Sequence, residues 1–226
     1  MSIVNSIRLS TTIYISKRQH ASIIPHASII PHASIMTSPQ RGSITLIIGC
    51  MFSSKTKTLS SAVDRHFYGK RKCMIVKHSD DDRYDHLAKN GGIVFNDGVE
   101  NSKFDVYTAS KLGFLSEIVK LYDVIGITES QFFSDLLIVD DWANAGKIII
   151  CDGLSGDAKR ETFGDVLNLI PKCETVLSLR AVCYNCGYDA SFTRKIAGTT
   201  EQKEAGGIDK YRPVCRECYN GRNPIG

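Results

Sequence analysis

The chain has 226 residues, of which 42% are hydrophobic and 23% are charged. This composition is typical of a globular protein with one substantial core and room for a small second module. The net charge of +4 is only mildly basic and gives no sign of nucleic-acid binding, and no apolar run approaches the roughly 18 residues that a membrane-spanning helix needs. We therefore expect neither a nucleic acid nor a membrane as a partner.

Residues 1–40 differ in composition from the rest of the chain. The six-residue sequence at 20–25 recurs at 26–31 and in part at 32–35, and a proline ends each full copy. Prolines at this spacing prevent a long helix, and so few short copies cannot stack into a solenoid. We predict a disordered leader. Because the first acidic residue of the chain is Asp64, an organelle transit peptide is the alternative.

From Gly42 onwards the pattern alternates between strands and helices. Ser43 to Ile48, for example, is apolar and β-branched, which is typical of a buried strand. The strands are predicted at 43–48, 72–77, 103–107, 124–127, 147–152 and 176–179, and the helices at 55–68, 109–121, 133–145 and 163–170. Such alternation predicts an α/β fold with a mostly parallel sheet and helices on both faces. Sites in these sheets lie at the carboxyl ends of the strands.

A phosphate-binding loop is predicted directly after the first strand. Its residues are Gly49, Cys50, Met51, Phe52, Ser53, Ser54, Lys55 and Thr56. They fill the pattern G-x-x-x-x-G-K-[ST] at the first Gly, the Lys and the hydroxyl position, but Ser54 stands at the second Gly and is expected to adopt a less favourable backbone conformation. In such loops backbone N–H groups bind phosphate, the lysine contacts the β- and γ-phosphates, and the hydroxyl is a ligand of Mg²⁺. The alternative is a serine-rich turn with an incidental lysine.

A second candidate site lies where the strand at 124–127 ends. In phosphate-loop enzymes an acidic residue at such a strand end holds Mg²⁺, and a following carboxylate can act as a base. Glu129 is placed to be that base, whereas Thr128 is not a carboxylate and can at best hold a water of the metal. Alternatively, Glu129 is an ordinary acid at a helix start that interacts with the helix dipole.

Four of the eight cysteines form two Cys-x-x-Cys pairs near the C-terminus. Cys183 pairs with Cys186 and Cys215 with Cys218, and 28 residues separate the two pairs. Such pairs can converge on a tetrahedral site that suits a structural Zn²⁺; an iron–sulfur cluster, a disulfide pair or free thiols are the alternatives. The segment 198–209 between them indicates a functional loop, often a lid. Metal-binding cysteines point to a reducing compartment, so we predict a cytoplasmic protein, with organelle targeting as the alternative.

These features occur together and in the same order in type II thymidine kinases, and the chain resembles that family from about residue 42 to 219. The resemblance extends to further segments, which are 124–127, 131–133, 143–147, 167–171, 181–183, 206–211 and 214–219. It implies a fold like that of phosphate-loop NTPases, with a small C-terminal zinc-binding module and a lasso-like lid. The domains expected are a leader at 1–40, a nucleotide-binding domain at 41–178 and a zinc and lasso domain at 179–226.

The resemblance also implies an activity and a role for each site residue. The protein is expected to phosphorylate thymidine with ATP and Mg²⁺, and to be a homotetramer. Glu129 would take the proton from the 5′-hydroxyl of the nucleoside. The ATP-binding residues would be those from Gly49 to Thr56 with Asp81 and Arg83. The thymidine-binding residues would be Phe132, Leu154, Phe163, Thr193 and Tyr211, and the zinc ligands would be Cys183, Cys186, Cys215 and Cys218.

Four positions depart from the family's pattern. The family has a glycine at Ser54 and a Mg²⁺-binding aspartate at Thr128. It has Leu-Asp-Gly-x-Phe at 154–158, where Ser155 replaces the Asp and Ala158 replaces a phenyl group expected to stack on thymine. One hypothesis is an active kinase in which Asp81, Asp157 and waters compensate. The second is a weakened or inactive relative that binds nucleotide or pairs with active subunits. A nucleic-acid-binding zinc protein is a third hypothesis, and the mild charge argues against it.

Overall fold

The computed structural model describes residues 41–80, 93–94, 100–101, 103–204 and 206–222; the predicted leader therefore lies outside the described residues. The strands are β1 (Ser43–Gly49), β2 (Cys73–His78), β3 (Ile93–Val94), β4 (Glu100–Asn101), β5 (Asp105–Ala109), β6 (Val124–Ile127), β7 (Ile148–Leu154), β8 (Thr175–Leu179), β9 (Ala181–Val182), β10 (Asp189–Ala190), β11 (Phe192–Lys195) and β12 (Tyr211–Val214). The α-helices are α1 (Lys55–Tyr68), α2 (Ser116–Val119), α3 (Val139–Asn144) and α4 (Arg216–Tyr219). Short 3₁₀ helices lie at Leu112–Leu115, Ser130–Phe132, Leu136–Ile138 and Leu167–Lys172.

A six-stranded sheet in the order β5-β2-β6-β7-β1-β8 forms the centre of the molecule. Every neighbouring pair in it is parallel, which confirms the predicted α/β fold. Strand β1 lies between β7 and β8, so the residues after its end are next to the ends of both neighbours. Ile47 of β1 is in register with Asp152 of β7, and Ile127 of β6 is in register with Cys151.

Two apolar clusters cover the two faces of this sheet. Side chains alternate between the faces along a strand, so Leu46 belongs to one cluster and Ile47 to the other. Leu59 and Val63, one helical turn apart on α1, pack against the face that contains Ile47. The 3₁₀ helices and α3 supply the opposite face, where Trp142 and Leu136 are buried. The sheet is thus covered by helical elements on both faces, as predicted.

The helical elements other than α1 are shorter than the predicted ones. The segment predicted as a helix at 109–121 is a 3₁₀ turn followed by the four residues of α2. Asp135 accepts hydrogen bonds from the backbone N–H groups of Leu112 (3.1 Å) and Gly113 (2.9 Å), which satisfies these donors outside a regular helix. In the described part of the chain, no helix has the length and apolar character needed to cross a membrane.

A small C-terminal module follows β8. It contains two antiparallel strand pairs, β9 with β10 and β11 with β12, and the short helix α4. Its apolar cluster includes Ala190 and Val214 and also Cys50 of the phosphate loop. The Cys50 thiol donates to the Ala190 carbonyl at 3.3 Å. The loop after β1 is therefore packed directly on the C-terminal module.

Candidate active site

The predicted phosphate loop connects the end of β1 to the start of α1. A side chain at Gly49 would place its Cβ 2.6 Å from the carbonyl oxygen of Leu179 and 2.6 Å from Ser53 Oγ, so glycine is required where the chain leaves the sheet. Ser53 Oγ donates to the Cys50 carbonyl at 2.9 Å, and Lys55 Nζ donates to the same carbonyl at 2.8 Å. The lysine is buried against the loop and carries its charge at the helix start, as phosphate binding requires.

Ser54, which stands at the second Gly of the pattern, has a left-handed backbone conformation with φ 62° and ψ 27°. Glycine adopts this conformation at no steric cost, whereas other residues pay about 1–2 kcal/mol. The loop therefore has the same backbone geometry that a glycine would give it, at a cost in stability.

We expect Ser54→Gly to raise the free energy of unfolding by about 1 kcal/mol, because it removes this left-handed strain. Urea unfolding of the two proteins measures the difference. Ser53→Gly is the matched control. It removes the hydrogen bond to the Cys50 carbonyl without relieving left-handed strain, so it should destabilise the protein. A Ser54→Gly protein no more stable than wild type would contradict the prediction.

One cavity of about 930 Å³ brings together most of the predicted ligand-binding residues. Those that line it are Met51, Phe52, Ser54, Lys55, Thr56, Glu129, Phe132, Leu154, Phe163, Thr193 and Tyr211. Gly49, Cys50 and Ser53 are buried and do not line it. Asp81 and Arg83, predicted to work near the phosphates, lie outside the described residues.

Part of the cavity lining outside the phosphate loop is aromatic. The Phe132 and Phe163 rings meet edge to face, with centroids 5.6 Å apart and an interplanar angle of 81°. Leu154 and Ala158 also line the cavity, and the Ala158 carbonyl accepts a hydrogen bond from the Tyr219 hydroxyl at 2.8 Å. A flat, apolar ring is the kind of ligand that such a surface binds.

Glu129 also lines the cavity and lies in the segment after β6. Its backbone is left-handed, with φ 50° and ψ 46°, and its N–H donates to Asp152 Oδ1 at 2.8 Å. Its carboxylate accepts a hydrogen bond from Gln131 Nε2 at 2.5 Å, and Gln131 Oε1 in turn accepts one from the Leu154 N–H at 3.1 Å. Gln131 thus links the Glu129 carboxylate to the end of β7, and Asp152 holds the Glu129 backbone.

Asp152, near the end of β7, does not line the cavity but contacts two predicted site residues, Glu129 and Thr56, and the sequence analysis missed it. Its side chain is fully buried. Burial raises the pKa of its carboxyl to about 7; the charge of Glu129 adds to this rise, while Lys55 and hydrogen bonds from the Glu129 N–H and the Thr56 side chain oppose it. A signal was present in the sequence, since Asp152 directly follows the apolar run 148–151. Its closeness to Thr56 depends on the order of the strands, which the sequence pattern does not reveal.

Thr128 does not face the cavity. The residue is 3% exposed, and its hydroxyl donates to the Val76 carbonyl of β2 at 3.4 Å. Its backbone N–H donates to the same carbonyl at 3.0 Å. The Thr128 side chain thus forms a hydrogen bond with β2 and does not contribute to the cavity lining.

The described residues of the segment 194–210, here called the lid loop, include 194–204, 206 and 207, which line the cavity. Before the lid loop, Thr193 Oγ1 accepts a hydrogen bond from the Met51 N–H at 3.0 Å; after it, the Tyr211 hydroxyl donates to the Glu204 carbonyl at 2.9 Å. Gln202 Nε2 donates to Asp157 Oδ2 at 2.7 Å. The lid loop is therefore tied to the phosphate loop at its base and to the opposite wall of the cavity near its middle.

Glu204 stabilises the lid loop from within. Its carboxylate contacts Lys195 Nζ at 2.6 Å and Lys210 Nζ at 2.9 Å, and it accepts hydrogen bonds from the N–H and hydroxyl of Thr199 at 2.8 and 2.9 Å. Hydrogen bonds from these partners hold the pKa of the Glu204 carboxyl well below its usual range. The two ends of the lid loop are thereby joined through one ionised side chain.

The four paired cysteines converge in the C-terminal module. The sulfur atoms of Cys183, Cys186, Cys215 and Cys218 all lie within 4.8 Å of one another, and the Sγ atoms of Cys186 and Cys215 are 3.6 Å apart. Zn–S bonds of about 2.3 Å in a tetrahedron imply S–S separations of about 3.8 Å. Burial raises the pKa of the Cys183 thiol, but hydrogen bonds from neighbouring backbone groups outweigh this effect and lower it to about 6. The cluster could hold a metal ion.

Comparison with known proteins identifies the family. The family model described as thymidine kinase matches residues 42–219. The chain is 40% identical to the thymidine kinase of Vaccinia virus (strain Ankara) over 181 residues, which cover 80% of this chain and 98% of the relative. It is 38% identical to thymidine kinase 1 of Dictyostelium discoideum over 180 residues, which cover 79% and 78%. The chain belongs to the type II thymidine kinase family.

The family match covers the lining of the cavity and the cysteine cluster. It includes the phosphate loop, the segment around Glu129, the lid loop and all four clustered cysteines. Two of the departures from the family's pattern, Ser54 and Ala158, lie in the lining of the cavity. Thr128 and Ser155 are not part of the lining, so the departures that change it are one in the phosphate loop and one at Ala158.

Proposed function

We propose that this protein transfers the γ-phosphoryl group of ATP to the 5′-hydroxyl of thymidine. The observation that carries the proposal is one cavity whose lining contains Lys55 and Thr56 of the phosphate loop, the aromatic pair Phe132 and Phe163, and Glu129. A donor of phosphate and an acceptor nucleoside would each occupy the part of the cavity whose chemistry suits it. Membership of the thymidine kinase family supports the same pairing of substrates.

The phosphate-loop part of the cavity would bind the triphosphate through the loop from Gly49 to Thr56. Backbone N–H groups at the start of α1 favour negative charge, and Lys55 adds a point charge; Asp81 and Arg83 are proposed to work near the phosphates as well. Mg²⁺, when bound, neutralises charge on the β- and γ-phosphates. The Thr56 hydroxyl and the buried Asp152 carboxylate are oxygen donors of the type that this hard cation prefers, so the residues present fit the ion.

Glu129 would accept the proton of the 5′-hydroxyl as its oxygen attacks the γ-phosphorus in line with the leaving ADP. The bond from the nucleoside oxygen to phosphorus forms while the bond to the β-γ bridging oxygen breaks, and the proton moves to the Glu129 carboxylate. The hydrogen bond from Gln131 would hold this carboxylate in place for the transfer. Positioning and charge neutralisation account for most of the rate enhancement in such reactions.

The aromatic part of the cavity would bind the thymine ring between Phe132, Phe163 and Leu154. The lid loop would contact the base through backbone groups, with Thr193 and Tyr211 at the base and sugar. Thr193 Oγ1 accepts a hydrogen bond from the Met51 N–H, so its own hydroxyl proton is left to donate to a ligand or to another acceptor. The Tyr211 hydroxyl donates within the lid loop and retains its capacity to accept.

The four clustered cysteines would bind one structural Zn²⁺, since four thiolates fill a tetrahedral site and leave no open position. We divide the chain into a nucleotide-binding domain at 41–178 and a zinc and lasso domain at 179–226. A homotetramer in the cytoplasm is the proposed state of the protein, by resemblance to the family.

Incubation of the purified protein with ATP, Mg²⁺ and thymidine tests the proposal. We expect thymidine monophosphate and ADP in equal amounts, and no product when Mg²⁺ is chelated. Binding of ATP and thymidine without turnover would overturn the proposal and favour the alternative of an inactive relative. Calorimetric titration of both ligands distinguishes that outcome from a failure to bind.

A smaller side chain at Phe163 is expected to weaken thymidine binding. We expect Phe163→Ala to raise KM for thymidine by about tenfold or more, because one edge-to-face aromatic partner and its buried area are lost. KM for ATP should change little, since Phe163 is not part of the phosphate loop. Phe114→Ala is the control, because Phe114 is 72% exposed and is not part of the cavity lining. Equal effects of the two variants on KM for thymidine would contradict the assignment.

A further inference from the structure

The geometry points to Asp152 as the carboxylate that holds Mg²⁺ together with the Thr56 hydroxyl, in place of the aspartate that the family has at position 128. This inference rests on the proposed function and assigns a residue that the family pattern leaves without a role. It makes the neutral residue at position 128 compatible with a metal-dependent phosphoryl transfer.

The register of the sheet places Asp152 beside Thr128. Ile127 of β6 is paired with Cys151 of β7, so Thr128 and Asp152 are the next residues on adjacent parallel strands, at the same edge of the sheet. Strand β7 is also the direct neighbour of β1, which leads into the phosphate loop. A carboxylate at 152 is therefore one strand nearer to Lys55 and Thr56 than a carboxylate at 128 would be.

The side chains of Thr128 and Asp152 differ in charge and in whether their hydrogen-bonding atoms have partners. Thr128 is neutral, and its hydroxyl donates to the Val76 carbonyl. Asp152 Oδ1 accepts the Glu129 N–H at 2.8 Å, but Oδ2 is buried and has no hydrogen-bond partner among the residues that the structure describes. A buried, unpaired carboxylate oxygen is costly unless a cation or a donor joins it.

The surroundings of Asp152 suit a hard cation. The Thr56 side chain and the Lys55 charge act on its carboxylate, and the Glu129 carboxylate is also close enough to affect it. Two neighbouring carboxylates repel each other, and a dication between protein oxygens and phosphates relieves that repulsion. In phosphate-loop enzymes the metal is held by the loop hydroxyl and an aspartate from a neighbouring strand, which is the arrangement of Thr56 and Asp152.

Mn²⁺ binding to the full chain in the presence of a non-hydrolysable ATP analogue tests this inference. Electron paramagnetic resonance measures free Mn²⁺ directly and needs no turnover. We expect Asp152→Asn to weaken Mn²⁺ binding by about 10–100-fold. Asparagine keeps the size of the side chain and an oxygen that can accept the Glu129 N–H, so a purely structural role of Asp152 would survive the change.

Thr128→Val is the matched control at the neighbouring strand end, and we expect its Mn²⁺ affinity to stay within about threefold of wild type. Wild-type Mn²⁺ affinity in Asp152→Asn, or equal losses of affinity in the two variants, would overturn the inference.

If the thermal unfolding midpoint shows that Asp152→Asn does not fold, Asp152→Ser provides the same test. Metal binding that depends on Asp152 in a protein unable to phosphorylate thymidine would remove the proposed function but leave this inference standing. Wild-type metal affinity in an Asp152→Asn protein that still phosphorylates thymidine would overturn this inference but leave the proposed function standing.

Discussion

Replacing Glu129 by glutamine is expected to lower kcat for thymidine phosphorylation by about 10²–10⁴-fold, the range that a positioned general base contributes. Glutamine keeps the length of the side chain and an oxygen that can accept the hydrogen bond from Gln131 Nε2. It cannot accept the proton of the 5′-hydroxyl. Because only the proton transfer is lost, KM for ATP and thymidine should stay within about threefold of wild type.

Glu117→Gln is the control for this substitution. The Glu117 side chain is 84% exposed on α2, where it pairs with Lys120 at 2.6 Å, and a surface pair of this kind contributes little. Steady-state kinetics of both variants measure kcat and KM separately. A Glu129→Gln enzyme with nearly wild-type kcat would show that another group takes the proton.

Sequence pattern predicted the inner strands of the central sheet well because β6 and most of β1, β2 and β7 are buried on both faces. A strand of that kind is a continuous apolar, β-branched run, and such runs need no tertiary information to be recognised. The strand predicted at 124–127 has these same bounds in the structure, and the one predicted at 43–48 extends by a single residue to Gly49. The phosphate loop could likewise be located, since it is defined by its place between β1 and α1.

The helical connections were harder to predict because tertiary contacts replace helical hydrogen bonds there. The carboxylate of Asp135 binds the N–H groups of Leu112 and Gly113 from more than 20 residues away along the chain. No local pattern indicates such a contact. The short 3₁₀ turns at Leu136–Ile138 and Leu167–Lys172 have apolar residues in the core, so their apolar pattern resembles that of longer helices.

The role of Asp152 shows the same limit within the site. The residue was assigned to a strand, but its neighbours Glu129 and Thr56 come from other strand ends that only the strand order brings together. The residues that the sequence offers to compensate for the aspartate missing at Thr128 are Asp81, which lies outside the described residues, and Asp157. Asp157 instead accepts hydrogen bonds from the N–H groups of Lys159 and Glu161 at 2.8 Å each, which stabilise its own loop.

Replacing Cys215 by serine is expected to abolish stoichiometric zinc binding and to lower the thermal unfolding midpoint by about 10 °C or more. Loss of a structural zinc ligand removes several kcal/mol, and 1 kcal/mol corresponds to about 2–4 °C in a protein of this size. The expected loss cannot be ascribed to helix capping. Cys215 is the N-cap of α4 and accepts the Cys218 N–H, and serine is itself a preferred N-cap residue.

The effect of this change should reach the phosphate loop, because the C-terminal module supports it. Cys50 packs in the same apolar cluster as Cys183 and Cys218, and the Met51 N–H donates to Thr193 Oγ1. ATP affinity measured by calorimetry should therefore fall along with the zinc content measured by elemental analysis. Cys173→Ser is the matched control, since Cys173 lies outside the cluster and serine can keep its hydrogen bond to the Leu169 carbonyl. Wild-type protein purified without chelator that contains no zinc, or a Cys215→Ser protein as stable as Cys173→Ser, would contradict the prediction. In the expected case the metal stabilises the C-terminal module and, through it, the surface on which the phosphate loop packs.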